Sequence, residues 1–83
     1  MMLTKEKIIK KFNEFLAGHQ QTLSEVALIE LSALEFDENT RIDREDNDGI
    51  EVYTKYKEKY YKSFTIKKDG SFLTIGGHLN ELS

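Results

Sequence analysis

Apolar residues recur at helical spacing through the first part of the chain and at alternate positions through the last part. Between Thr4 and Gly18, the residues Ile8, Ile9, Phe12, Phe15 and Leu16 share one side of a helix, while Lys7, Lys10, Lys11 and Glu14 take the other. Thr4 is placed to cap this helix, Leu3 and Ile8 to staple its start, and Gly18 to end it, so a helix is predicted over residues 4–17. A second helix is predicted over 22–36, because T-L-S-E puts Glu25 three positions after an N-cap Thr22 and Asp37-Glu38-Asn39 breaks the run. On its wheel Leu23, Val26, Ala27, Leu31 and Leu34 cluster, whereas Leu28, Ile29 and Phe36 fall outside that stripe. A helix apolar on two sides is read as central and covered on both; the alternative is a dimer contact through Leu28, Ile29 and Phe36.

After residue 40 the period becomes two. Ile50, Val52, Thr54 and Tyr56 alternate with Glu51, Tyr53, Lys55 and Lys57, and Tyr60, Lys62, Phe64 and Ile66 resume the pattern. A three-residue loop over 57–59 sets Tyr56 opposite Tyr60, Val52 opposite Phe64 and Ile50 opposite Ile66. Asp69-Gly70, taken as a two-residue turn, sets Ile66 opposite Leu73 and Phe64 opposite Ile75. A first strand would pair Ile42 with Val52, and the strands are predicted over 40–43, 50–56, 60–67 and 71–76. A competing helix over 50–63 is disfavoured by the Val, Thr and Tyr content of that stretch. The expected fold is α+β: one domain over 1–83, with two N-terminal helices packed on one face of a three- to four-stranded antiparallel β-meander.

Size and composition narrow this picture. An 83-residue domain buries only about 60–65% of its unfolded surface. The chain has no cysteine, so neither a disulfide nor a Cys-based zinc site can reinforce the core. No apolar run reaches the roughly 20 residues of a membrane span, and the start resembles no signal peptide, so a cytoplasmic protein without membrane contact is expected.

Charge is segregated beneath a net value of −3. Residues 1–21 carry four lysines against two acids, residues 22–51 carry ten acids against Arg41 and Arg44, and residues 52–83 carry six lysines against three acids. The acidic band ends in DREDNDGIE over 43–51. Set on an EF-hand with Gly49 at its sixth place, that loop puts Arg44 and Lys55 where calcium requires oxygen, so no metal is assigned. A loose cation site on Asp43, Asp46 and Asp48 is a weaker reading than a solvated turn in which Asn47, Asp48 and Gly49 accept positive φ.

Two contact surfaces follow. The acidic loop, through Asp43, Glu45, Asp46, Asp48 and Glu51, is suited to a basic protein partner. The outer face of the sheet, expected to carry Tyr53, Lys55, Tyr61, Thr65, Lys67, Phe72 and Thr74, is suited to another protein or, as the alternative, to single-stranded nucleic acid stacked on the aromatic rings. Net acidity and the lack of RNP-type sequences place nucleic acid second. No catalytic constellation is present: His19 and His78 are far apart, no serine lies in a G-x-S-x-G elbow, and Gly76-Gly77 lacks the following basic residue of a phosphate loop. Glu35 and Asp37 read as helix-end charges. The sequence thus points to an interaction module, not an enzyme, that needs no cofactor and binds another protein or a second copy of itself.

Overall fold

The computed structural model describes residues 3–56 and 60–75. Helix α1 (Lys5–Gly18) starts where the Thr4 hydroxyl accepts the Lys7 N–H at 3.3 Å, and it buries Ile8, Phe12 and Leu16 completely. Its end differs from expectation. Gly18 is still helical; the Gln20 N–H reaches Ala17 O at 3.1 Å and the Gln21 N–H reaches Leu16 O at 2.7 Å. That pair of bonds is a Schellman closure, and the left-handed position it requires falls on Gln20 at φ +59° instead of the nearby glycine.

Helix α2 (Glu25–Ser32) is shorter than predicted at both ends. Ser24, not Thr22, is the N-cap: its hydroxyl accepts the Ala27 N–H at 3.1 Å. The helix stops at Ser32 because Leu34 and Glu35 leave it to form strand β1 (Leu34–Glu35), opposite Tyr56 and Lys55. Pairing buries Leu34 to 1% exposure, a tertiary gain that overrides a local sequence free of Gly and Pro.

The remaining strands are β2 (Arg41–Asp46), β3 (Gly49–Tyr56), β4 (Tyr60–Lys67) and β5 (Phe72–Ile75). All pairings are antiparallel, so the fold is α+β with N-terminal helices, and its sheet has five strands where three or four were expected. β3 is central: β4 lies along one edge, and β1 and β2 share the other. Between Glu35 and Arg41 the chain bulges outward over 36–40, opposite Thr54 alone. The Thr54 hydroxyl closes that gap, donating to Glu35 O at 2.5 Å and meeting the Thr40 hydroxyl at 2.7 Å.

Alternation set most of the register correctly. Ile50 pairs with Ile66, Val52 with Phe64, Tyr56 with Tyr60 and Ile42 with Val52, as expected. The predicted loop 57–59 lies outside the described residues, as do the tail glycines and His78. β2 runs on to Asp46, so the connection to β3 is only Asn47-Asp48 and not the longer loop implied by strands over 40–43 and 50–56. A bulge at Asp43 absorbs the extra residue. None of Asn47, Asp48 and Gly49 has positive φ; the turn is held by the Asp46 carboxylate, which accepts the N–H groups of Asp48 at 2.8 Å and Gly49 at 3.2 Å.

The last hairpin departs by one residue. Its loop is Lys68-Asp69-Gly70, closed by Gly70 N–H to Lys67 O at 2.9 Å and Lys67 N–H to Ser71 O at 2.8 Å, with Gly70 at φ +85°. The third loop residue moves β5 along, pairing Ile66 with Phe72, Thr65 with Leu73 and Phe64 with Thr74. Phe72 therefore turns inward and stacks on Phe64 at 5.7 Å, while Leu73 faces out at 46% exposure. One core results, in which Ile8, Phe12 and Leu16 of α1 and Ala27 and Leu31 of α2 meet Leu34, Ile50, Val52, Phe64 and Ile66 of the sheet.

Candidate functional site

Each acid of the β2–β3 turn has a partner inside the fold. Asp43 pairs with Arg41 at 2.7 Å, Glu45 with Lys11 of α1 at 2.8 Å, Asp46 with Arg44 at 2.7 Å and Asp48 with Lys68 at 3.4 Å. Glu51 accepts a long hydrogen bond from the Thr65 hydroxyl at 3.4 Å. The Arg44 guanidinium and the turn N–H groups hold the Asp46 carboxyl below its ordinary value. These contacts send the acids to different cations and do not gather them round a shared point. Among the described residues no group of three or more His, Asp or Glu is arranged to hold a metal ion, so the loose site on Asp43, Asp46 and Asp48 has no geometric support.

The outer sheet face is largely closed. Tyr53 and Tyr61 are only 6% and 8% exposed; their rings stack at 5.3 Å and 8°, and the Arg41 guanidinium lies 4.1 Å from the Tyr53 centroid. Lys55 is drawn back toward Asp37 at 3.6 Å. Phe72 packs against the core, so it is removed from this face, and Thr65 is buried. Of the residues expected on this face, Lys67 is exposed, while Tyr53, Lys55, Tyr61, Thr65 and Phe72 are buried or half-buried. Base stacking needs open ring faces, which this pair of tyrosines does not offer.

What closes the face is the 36–40 excursion. Asp37 accepts the Tyr61 hydroxyl at 2.8 Å and the Asn39 N–H at 2.9 Å, and the Asn39 side-chain amide donates back to the Tyr61 oxygen at 3.1 Å. Burial pushes the Asp37 carboxyl up, but the Tyr61 hydroxyl, the Asn39 N–H and the Lys55 ammonium outweigh it and leave it below its ordinary 3.8. Asp37 thus stabilises the fold at neutral pH, and that contribution is lost as pH falls through the lowered folded value. Tyr61→Phe is expected to cost about 1 kcal/mol at neutral pH and to flatten the acid limb of the stability profile. Urea midpoints measured at neutral pH and at about pH 3 check this; equal losses at both would contradict it.

The surface that remains open is α2. Ala27 and Leu31 turn into the core, while Val26, Leu28 and Ile29 are 56%, 46% and 67% exposed. The sequence reading of a helix covered on both sides is therefore corrected: the fold supplies one layer beneath α2 and nothing above it among the described residues. Phe36 is not part of this strip, because it is half-buried against the core. Val26 belongs to it, although its wheel position placed it with the core; ending the helix at Ser32 removed Leu34 and Phe36 from the wheel and shifted the buried side onto Ala27 and Leu31. Ser32 donates its hydroxyl to Ile29 O at 2.6 Å, leaving its polarity satisfied within the helix.

An open cleft of about 460 Å³ lies between α1 and the β2–β3 turn, bordered by Lys11, Glu14, His19, Glu45 and Asp46. Its charges are mixed, and Lys11 and Glu45 are paired with each other. His19 donates through Nδ1 to Phe15 O at 3.0 Å and packs on the Phe15 ring, which makes it a helix end-piece. No described helix is long and apolar enough to cross a membrane. No family model matches this chain, and no curated protein or solved structure matches it either.

Proposed function

We propose that this chain is a small protein-binding module whose contact surface is the outward side of α2. The observation that carries the reading is the exposure of Val26, Leu28 and Ile29 together on one two-turn helix. Covering the half-exposed remainder of each is worth about 1 kcal/mol. Association itself costs at least about 4 kcal/mol, so the three side chains anchor a contact that must extend beyond them. The acidic turn and the tyrosine face support a binding role less well, since their charges and rings are engaged internally.

Ile29→Asp tests the proposal. With a carboxylate added in the last turn of α2, it is expected to cost about 1 kcal/mol of stability and leave the chain folded, yet to abolish retention of the partner in affinity capture from native lysate. Sedimentation of the purified chain separates a second copy from a different protein. Unchanged capture together with an unchanged mass distribution would reject α2 as the contact surface.

A further inference from the structure

Given the reading of α2 as a docking surface, we infer that its occupant is a basic amphipathic helix of a partner protein. Residues 20–40 contain Glu25, Glu30, Glu35, Asp37 and Glu38 and no lysine or arginine. The acids of the β2–β3 turn are matched by Arg41, Lys11, Arg44 and Lys68. Glu25 and Glu30, by contrast, form no ion pair among the described residues. Glu25 lies in the first turn, where the helix dipole favours a carboxylate. Glu30 lies in the last turn, where the dipole opposes one, and no basic residue accompanies it there. Glu6, Glu14, Glu35, Glu38, Glu51 and Asp69 form no ion pair among the described residues either, but Glu25 and Glu30 are the unpaired acids carried by the same helix as the uncovered apolar side chains.

Both features ask for one kind of complement. Val26 and Ile29 are one turn apart and form a ridge that fits the groove of a second helix, and Lys or Arg flanking an apolar stripe on that helix would meet Glu25 and Glu30. A second copy docking α2 on α2 about a two-fold axis would instead crowd like charges, because both helices bring only acids.

The probe is a fluorescent Leu/Lys amphipathic peptide of about three turns, roughly 11 residues, with a Leu/Glu peptide of the same pattern beside it. Binding is followed by anisotropy at low and high salt. The native chain is expected to bind the Leu/Lys peptide in preference to the Leu/Glu peptide, and more weakly as salt rises. Glu25→Lys with Glu30→Lys is expected to lower the affinity about tenfold or more. Asp43→Lys with Asp48→Lys, which changes net charge equally, is expected to leave it near native. Melting curves confirm folding, and Glu25→Gln with Glu30→Gln replaces the reversal if that pair does not fold.

Binding of neither peptide, equal binding of both, or equal effects of the two charge reversals overturns the basic partner. If Ile29→Asn weakens both peptides while the charge variants do nothing, α2 stands as a docking surface and only its basic occupant falls. If Ile29→Asn changes neither, both readings fall. A salt-insensitive homodimer that Ile29→Asn dissociates would also overturn the inference, in favour of a second copy.

Discussion

Phe64→Ala is expected to cost about 3–5 kcal/mol, the range for deleting a fully buried aromatic ring. Phe64 stands on β4 with no exposed surface, and its ring meets Phe12 of α1 at 6.1 Å and Phe72 of β5 at 5.7 Å. It joins the helical layer to the last strand, so its loss opens a cavity that neither neighbour can fill without leaving its own element. At roughly 0.05–0.15 kcal/mol per residue, a chain of this length has only about 4–12 kcal/mol in total. Phe64→Ala should therefore leave a large unfolded fraction at 37 °C or abolish the cooperative transition, whereas Phe64→Leu should retain it with a loss of about 1–2 kcal/mol. Circular dichroism melts of the two variants against native protein decide the matter. A Phe64→Ala midpoint close to that of Phe64→Leu would mean that the ring does not bridge the two layers.

Gly49→Ala is expected to be nearly as severe, about 2–3 kcal/mol, for a different reason. A Cβ at Gly49 would stand 2.5 Å from Ile66 O and 3.4 Å from Lys67 Cα. Both are backbone atoms of the paired strand, so no rotamer change can relieve the contact and β3 and β4 must separate. Gly49 has no positive φ, which means that the turn does not require glycine for its dihedral angles. A helpful contrast is Asn47→Ala in the same turn, where the exposed side chain should cost within about 0.5 kcal/mol. Urea unfolding of the two variants measures the difference, and near-equal midpoints would show that β4 is farther from Gly49 than the register places it.

Where the sequence carried physical constraint from two directions, the fold was legible. Ile50, Val52, Phe64 and Ile66 were fixed by strand alternation and by the need to pair apolar side chains across β3 and β4, and they form the centre of the core. Phe72 was misplaced because Asp69-Gly70 suits a two-residue turn as well as the end of a three-residue one, and one residue reverses every side chain beyond it. Leu34 was misplaced because its local sequence favours helix, while the pairing that captures it lies some 20 positions away on β3. The candidate surface was half visible: Leu28 and Ile29 fell outside the main stripe, but whether a second layer covered them depends on packing that no local pattern encodes. The acidic turn looks unengaged in the sequence, because the pairing of its carboxylates with Lys11 and Lys68 depends on elements distant along the chain.

The shared edge formed by β1 and β2 bears on how this chain behaves when crowded. Five of the six residues of β2 are charged, a bulge interrupts its pairing at Asp43, and the 36–40 excursion separates it from β1. A foreign strand seeking backbone hydrogen bonds along that side would find no two consecutive uncharged residues within either strand: β1 offers Leu34 beside Glu35, and β2 offers Ile42 between Arg41 and Asp43. That margin of the sheet is thereby a poor template for fibril-type growth, unlike the opposite edge, where β5 (FLTI) carries no charge.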